Sequence, residues 1–149
     1  MPAHSKQLDI KHMAYCACGN VRKTTRTITQ FYDRYLQSTG LRSTQCSLLI
    51  NIYLHENISV SELGSRLLMD QTTVTRNINL LKKQGYITII KEESDARKKS
   101  ISITDEGAQK IAEAIPLWEQ AQLQIEQGMG KERFHDFLKM LKELEQIVE

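Results

Sequence analysis

Met69 to Ile87 reads "MDQTTVTRNINLLKKQGYI". Asp70 has the short acceptor side chain that opens a helix, and Gly85 can close one in the left-handed conformation that other residues avoid. Between them Val74, Ile78 and Leu81 make one stripe, Ile78 and Leu81 falling within about 40° of Val74 at ~3.6 residues per turn. Thr72, Thr75, Arg76, Asn79 and Lys83 fall on the far side. That far face holds hydroxyls, an amide and two cations but no carboxylate, whereas a helix that need only be wet mixes Glu with Lys. It suits a major groove, where Arg pairs with guanine, Asn or Gln with adenine, and a threonine methyl touches thymine. Taken alone, the stretch reads first as an exposed helix that happens to carry threonines, so its flanks decide.

Upstream, "SVSELGSRLLM" places Ser59 and Glu62 at capping-box spacing and Leu63 and Leu67 on one i, i+4 face, which predicts a short helix before the tight turn "LLMD". Downstream, "YITIIKEE" and "SISIT" read as two strands separated by the charged loop "SDARKK". Short helix, turn, polar-faced helix and basic-tipped hairpin is the order of a winged helix-turn-helix. Arg97, Lys98 and Lys99 at the tip are placed for an adjacent minor groove; the alternative is an ordinary solvated turn. Ser43, Thr44 and Ser61 near the starts of the two preceding helices, with Gln71 and Thr73 in the first turn of the polar-faced one, complete the expected DNA-facing set. Farther out, about residues 10–38 carry a long helical pattern stopped by Gly40. A helix over Thr44–Leu54 puts Leu48, Leu49, Ile52 and Tyr53 on one stripe. Thr104 caps a helix to about Gln127 with a kink expected at Pro116, and a last helix starts at Phe134.

The 149 residues suffice for one cored domain but hardly for two. Net charge is +2, divided as +3 over residues 1–65, +4 over 66–99 and −5 over 100–149. A basic block inside a near-neutral chain is the footprint expected for a polyanion. No apolar run reaches the ~18 residues of a membrane span and the first residues lack a signal-peptide core, so a cytoplasmic protein is expected. Cys16, Cys18 and Cys46, odd in number and scattered, are expected to be thiols. Cys16 and Cys18, two apart on one straight helix, would point in different directions. His12 and Cys16, four apart, would share a face, but two ligands do not make a zinc site, and no metal or cofactor is expected. No nucleotide loop, dinucleotide fingerprint or His-Glu-x-x-His is present, and His4, His12, His55 and His135 do not fall into a catalytic spacing with carboxylates, which argues against an enzyme.

The chain resembles the MarR family of bacterial and archaeal transcriptional regulators. The resemblance rests on "LRSTQCSLLINIY", on "SVSELGSRLLMDQTTVTRNINLLKKQGYI" and above all on "ESDARKKSISITDEG", with Asp95 and Arg97 as its D-x-R and Ile103–Gly107 as the exit from the wing. It implies a mainly α (α+β) fold: one domain over 1–149, with dimerisation helices in 1–40 and 105–149 around a winged helix-turn-helix lobe in 41–104. It further implies a homodimer on a pseudo-palindromic double-stranded operator, Asp95 orienting Arg97 and Arg97 entering the minor groove. The apolar repeat Phe134, Phe137, Leu138, Leu141, Leu144, Ile147, Val148 fits that dimer role.

For release from DNA, the resemblance implies a small aromatic or phenolic effector, and Tyr15, Arg22, Tyr32, Tyr53 and Trp118 are the residues to which it points. Organic-peroxide sensors of the family offer the alternative, a thiol-based redox repressor. An ungapped alignment puts Cys18 on their reactive cysteine and Tyr32 on one of their tyrosines, with Arg22 and Ser43 at the other two tyrosine positions. Arg22, one turn from Cys18, could favour its thiolate. Other readings are an effector-independent DNA-structuring protein and a winged helix that binds protein instead of DNA.

Overall fold

In the computed structural model, which describes residues 8–149 and the side chains of all of these but Glu92, Ala96 and Arg97, the decisive stretch is a helix. His4 and the Arg97 side chain therefore lie outside the described residues. Asp70 accepts from the Thr73 amide (2.8 Å) and the Thr73 hydroxyl (2.9 Å), and helix α4 runs Gln71–Lys83 behind this cap. Gly85 follows at φ 82°. Val74, Ile78 and Leu81 are all at most 2% exposed. At roughly 1.5–3 kcal/mol each, they are what holds α4 to the body.

The other elements in chain order are α1 (Ala17–Leu36), α2 (Ser43–Leu54), β1 (Ile58–Ser59), α3 (Val60–Leu67), β2 (Ile87–Glu92), β3 (Asp95–Ile103), α5 (Asp105–Met129) and α6 (Lys131–Val148). Leu48, Leu49 and Ile52 of α2, Leu63 of α3, the α4 stripe, Ile87 and Ile101 form one core, to which Leu36 of α1 and Ile111 and Ala114 of α5 are added. The sheet is antiparallel in the order β1-β3-β2. Ser59 begins α3 as read from its spacing, its hydroxyl accepting from the Glu62 amide at 3.0 Å.

Several expectations need correction. The pattern over residues 10–38 is not one helix. A 3-10 turn, Lys11–Tyr15, ends at an extended Cys16 (φ −61°, ψ 116°), α1 begins after it, and a second 3-10 turn covers Gln37–Thr39. The cause is local: the Asn20 amide donates to the carbonyls of Ala14 (2.9 Å) and Cys16 (2.8 Å), a side-chain alternative to the helical ladder. His12 and Cys16 therefore share no helix face. Tyr53 leaves the α2 stripe and is 56% exposed, since it sits about 100° round from Ile52. β1 was invisible in the sequence because two residues carry no period; it exists by pairing Ile58 with Ile101 and Ser59 with Ser100. Finally, "SDARKK" is mostly strand: β3 starts at Asp95. Lys91 pairs with Lys99 and Glu92 with Asp95, so residues 96–98 fall between two paired steps as an irregularity of β3. Helix ends shift by a few residues: α5 passes through Pro116 to Met129 and α6 opens at Lys131.

The turn between α3 and α4 is strained at one residue. Leu68 lies in the left-handed region (φ 52°, ψ 38°) with its side chain 76% exposed, while the Met69 amide donates to the Gly64 carbonyl at 3.0 Å. Glycine would adopt this conformation freely at no loss of burial, at the cost of a floppier unfolded chain. Leu68→Gly is expected to raise stability by about 0.5–1 kcal/mol, read as a higher thermal midpoint. An unchanged or lower midpoint would mean that the leucine side chain holds the turn.

Candidate DNA interface

Thr72, Thr75, Arg76, Asn79 and Lys83 are all exposed, as is Gln71. With Leu80, 44% exposed, they form a continuous shallow surface along α4. A second groove of about 650 Å³ joins that surface to its neighbours: Ser61 and Glu62 at the start of α3, Gln71, Thr75 and Asn79 of α4, and Lys98 and Lys99 of β3 surround it. Recognition-helix face, start of the preceding helix and wing thus meet in one concavity with cations at its rim. Sequence reasoning missed Asn57, which sits at φ 57° before β1, accepts from the Ser102 hydroxyl at 3.1 Å and lines the same groove. Its only signal was the Asn itself, a residue type tolerant of left-handed backbone.

Thr73 differs from its neighbours. It is half-buried, and its hydroxyl is spent on Asp70. Those two hydrogen bonds from Thr73 hold the Asp70 carboxyl below the usual carboxylate range, Arg76 adding to the effect. The cap's contribution is thus present above the unfolded carboxylate value and is lost as pH falls through the lowered folded one. Ser43 and Thr44 stand apart, half-buried in the first turn of α2, where the Ser43 amide donates to Asp33 Oδ1 at 2.7 Å. Neither lines the grooves beside α4. Asp95 is exposed at the start of β3.

The sensing residues do not converge within the chain. Tyr15 is 89% exposed on the 3-10 turn, Cys18 and Arg22 are exposed in the first turns of α1, and Trp118 is 42% exposed on α5. Tyr53 borders a shallow depression with Asn57 and Ser102. Tyr32 points at α5, its hydroxyl donating to Gln122 Oε1 at 2.6 Å; burial, then the nearby Glu126 carboxylate, pushes its phenol up from the ordinary value. Cys18 and Tyr32 are 14 positions apart on one helix, which at ~1.5 Å per residue is about 21 Å, so they cannot meet in one chain. Among the described residues no cluster of three or more His, Cys, Asp or Glu is placed to hold a metal ion, and no helix is long and apolar enough to cross a membrane.

Residues 39–98 match the family model described as "MarR family". The transcriptional regulator MosR of M. tuberculosis, solved in complex with DNA, is 32% identical and superposes with a TM-score of 0.77 over 89% of this chain and 98% of its own. The chain belongs to the MarR family. The chain is also similar to two curated transcriptional regulators: it is 28% identical over 100 residues to the organic hydroperoxide resistance transcriptional regulator of Bacillus subtilis, covering 67% of this chain and 68% of that one. It is 30% identical over 90 residues to the HTH-type transcriptional regulator SarZ of Staphylococcus haemolyticus, covering 60% and 61%. In this MarR-family chain the matched segment runs from the end of the α1 region to the wing.

Proposed function

We propose that the protein is a homodimeric repressor that occupies a pseudo-palindromic operator, reading bases in the major groove with α4 and gripping the flanking backbone with its wing. The observation that carries this is the exposed face Thr72, Thr75, Arg76, Asn79 and Lys83, continuous with the groove to Lys98 and Lys99. Side chains of that chemistry discriminate base edges, while the lysines neutralise phosphate. On this reading Asp95 orients Arg97 toward the minor groove, and Ser43 and Thr44 touch backbone.

The dimer is supported by apolar side chains that the terminal helices leave uncovered, among them Ile115, Trp118 and Leu123 on α5 and Leu138, Ile147 and Val148 on α6, each at least 42% exposed. Their natural cover is a second copy, with 1–40 and 105–149 as the dimerisation part and 41–104 as the DNA-binding lobe. Two half-sites should then be protected, centred roughly 10 base pairs or a multiple apart, because both α4 helices must meet one face of the duplex. Footprinting the protein on a duplex selected from a randomised pool checks this. A footprint over a single half-site, from a monomer in solution, sinks the dimeric repressor. Uniform coverage whose preference over random DNA vanishes at moderate salt would instead indicate a DNA-structuring protein.

Release from the operator has two readings. A small aromatic or phenolic effector needs a site assembled by the dimer, since Tyr15, Arg22, Tyr32, Tyr53 and Trp118 lie apart in one chain. Thiol oxidation is the other reading, and a relative named for organic hydroperoxide resistance supports it.

A further inference from the structure

The recognition surface of α4 carries one large apolar side chain. Leu80 is 44% exposed there, while the other described residues that line this surface are hydroxyls, amides and cations. At ~100° per residue it lies about 120° from Val74, clear of the buried stripe, and about 40° from Arg76 and 60° from Lys83. Arg76, Leu80 and Lys83, spaced i, i+4, i+7, form one row along the helix. Long helical side chains lean back toward the N-terminus, so Leu80 covers the turn that carries Arg76. The core has no claim on it, because Leu81, the next residue, fills the inner side of this turn at 0% exposure.

We propose that Leu80 is a specificity-determining residue that reads the 5-methyl group of a thymine in the major groove, beside the base pair met by Arg76. This rests on the operator binding proposed above and adds an apolar contact to its polar ones. Two cations on the same row draw this face of α4 onto a polyanion, and the side chain between them goes into the groove with them. A leucine has no hydrogen bond to offer a phosphate or a base edge. The apolar group that base edges present in the major groove is the thymine methyl, which cytosine lacks. Packed against it, Leu80 and the methyl both leave water, and burial of that one methyl is worth about fourfold in affinity per half-site. Thr72 and Thr75 carry methyl groups as well, but they fall about 40° and 100° to the other side of Arg76 and so address different base pairs.

The test uses the full-length protein and a duplex that it selects from a randomised pool. Each thymine of the protected half-sites is replaced in turn by deoxyuridine, which removes the methyl and keeps the base pair. Fluorescence anisotropy should find a thymine position at which this change weakens wild-type binding about fourfold per half-site. Leu80→Ala, with a thermal midpoint no lower than that of the wild type, should bind the thymine and uracil duplexes equally. A preference for thymine that persists in Leu80→Ala would assign the methyl to Thr72 or Thr75 and overturn the proposal. So would a wild type indifferent to every uracil replacement: equal losses by Leu80→Ala on selected and random duplexes would then make the leucine a backbone contact, and no loss would leave it in solvent. A wild type that selects no duplex at all would end the operator-binding proposal itself, and the role of Leu80 with it.

Discussion

Gly107→Ala is expected to destabilise the fold by more than about 3 kcal/mol, the added Cβ meeting closer neighbours there than at any other glycine of the chain. A Cβ at Gly107 would stand 2.2 Å from the Tyr86 carbonyl oxygen and 2.8 Å from Ile103 Cγ1. Neither neighbour can yield cheaply. The Tyr86 carbonyl accepts the Thr104 amide at 3.0 Å, and the Thr104 hydroxyl both donates to the Gly85 carbonyl at 2.6 Å and accepts from the Gly107 amide at 3.1 Å. The glycine of the "ITDEG" run is therefore where the hairpin is fastened to α5, and moving it would misplace the wing as well as loosen the core. Denaturant unfolding should show a lower midpoint at unchanged slope. Gly128, also within α5 but with nothing within 4 Å of an added Cβ, is the control: its alanine variant should be neutral or up to about 1 kcal/mol more stable. Loss of less than about 1 kcal/mol at Gly107 would mean that the joint is soft, and the close approach of Tyr86 would no longer explain the glycine.

Arg76→Ala should cost about 1–3 kcal/mol of specific DNA affinity while leaving the fold alone. Arg76 is exposed, in the middle of the α4 surface, and among the described residues no buried neighbour depends on it for a hydrogen bond; its charge only assists the Asp70 cap, which Thr73 dominates. A bidentate contact to guanine would be lost on the selected duplex but not on random DNA, so the specificity ratio should fall by the same factor as the specific affinity. Fluorescence anisotropy on both duplexes across a salt series separates the possibilities. Equal weakening on both, with the salt slope reduced by ~1, would make Arg76 a phosphate contact, and base reading would then rest on Thr72, Thr75 and Asn79.

Much of this architecture was legible because short-range rules govern it. The α4 stripe of Val74, Ile78 and Leu81 follows from 3.6-residue periodicity, and the starts of α3, α4 and α5 from Ser59, Asp70 and Thr104, whose side-chain oxygens accept first-turn amides as read. The polar far face of α4 needed no partner to be recognised, because solvent, not packing, determines its exposure. The winged helix-turn-helix order followed from these elements in sequence, while the family was legible through a resemblance carried by "ESDARKKSISITDEG" above all.

What the sequence alone could not decide depends on groups distant along the chain or on competition between local hydrogen bonds. β1 exists only because Ile101 and Ser100, more than forty residues away, supply its partners. The wing's basic residues became strand rather than loop because the pairing of β2 with β3 runs on to Glu92 and Asp95. The requirement for glycine at 107 comes from the Tyr86 carbonyl crossing it, a contact that no periodicity encodes. The break at Cys16 arises where the Asn20 side-chain amide binds the Ala14 and Cys16 carbonyls in place of the helical ladder, a choice between local hydrogen bonds that composition does not resolve.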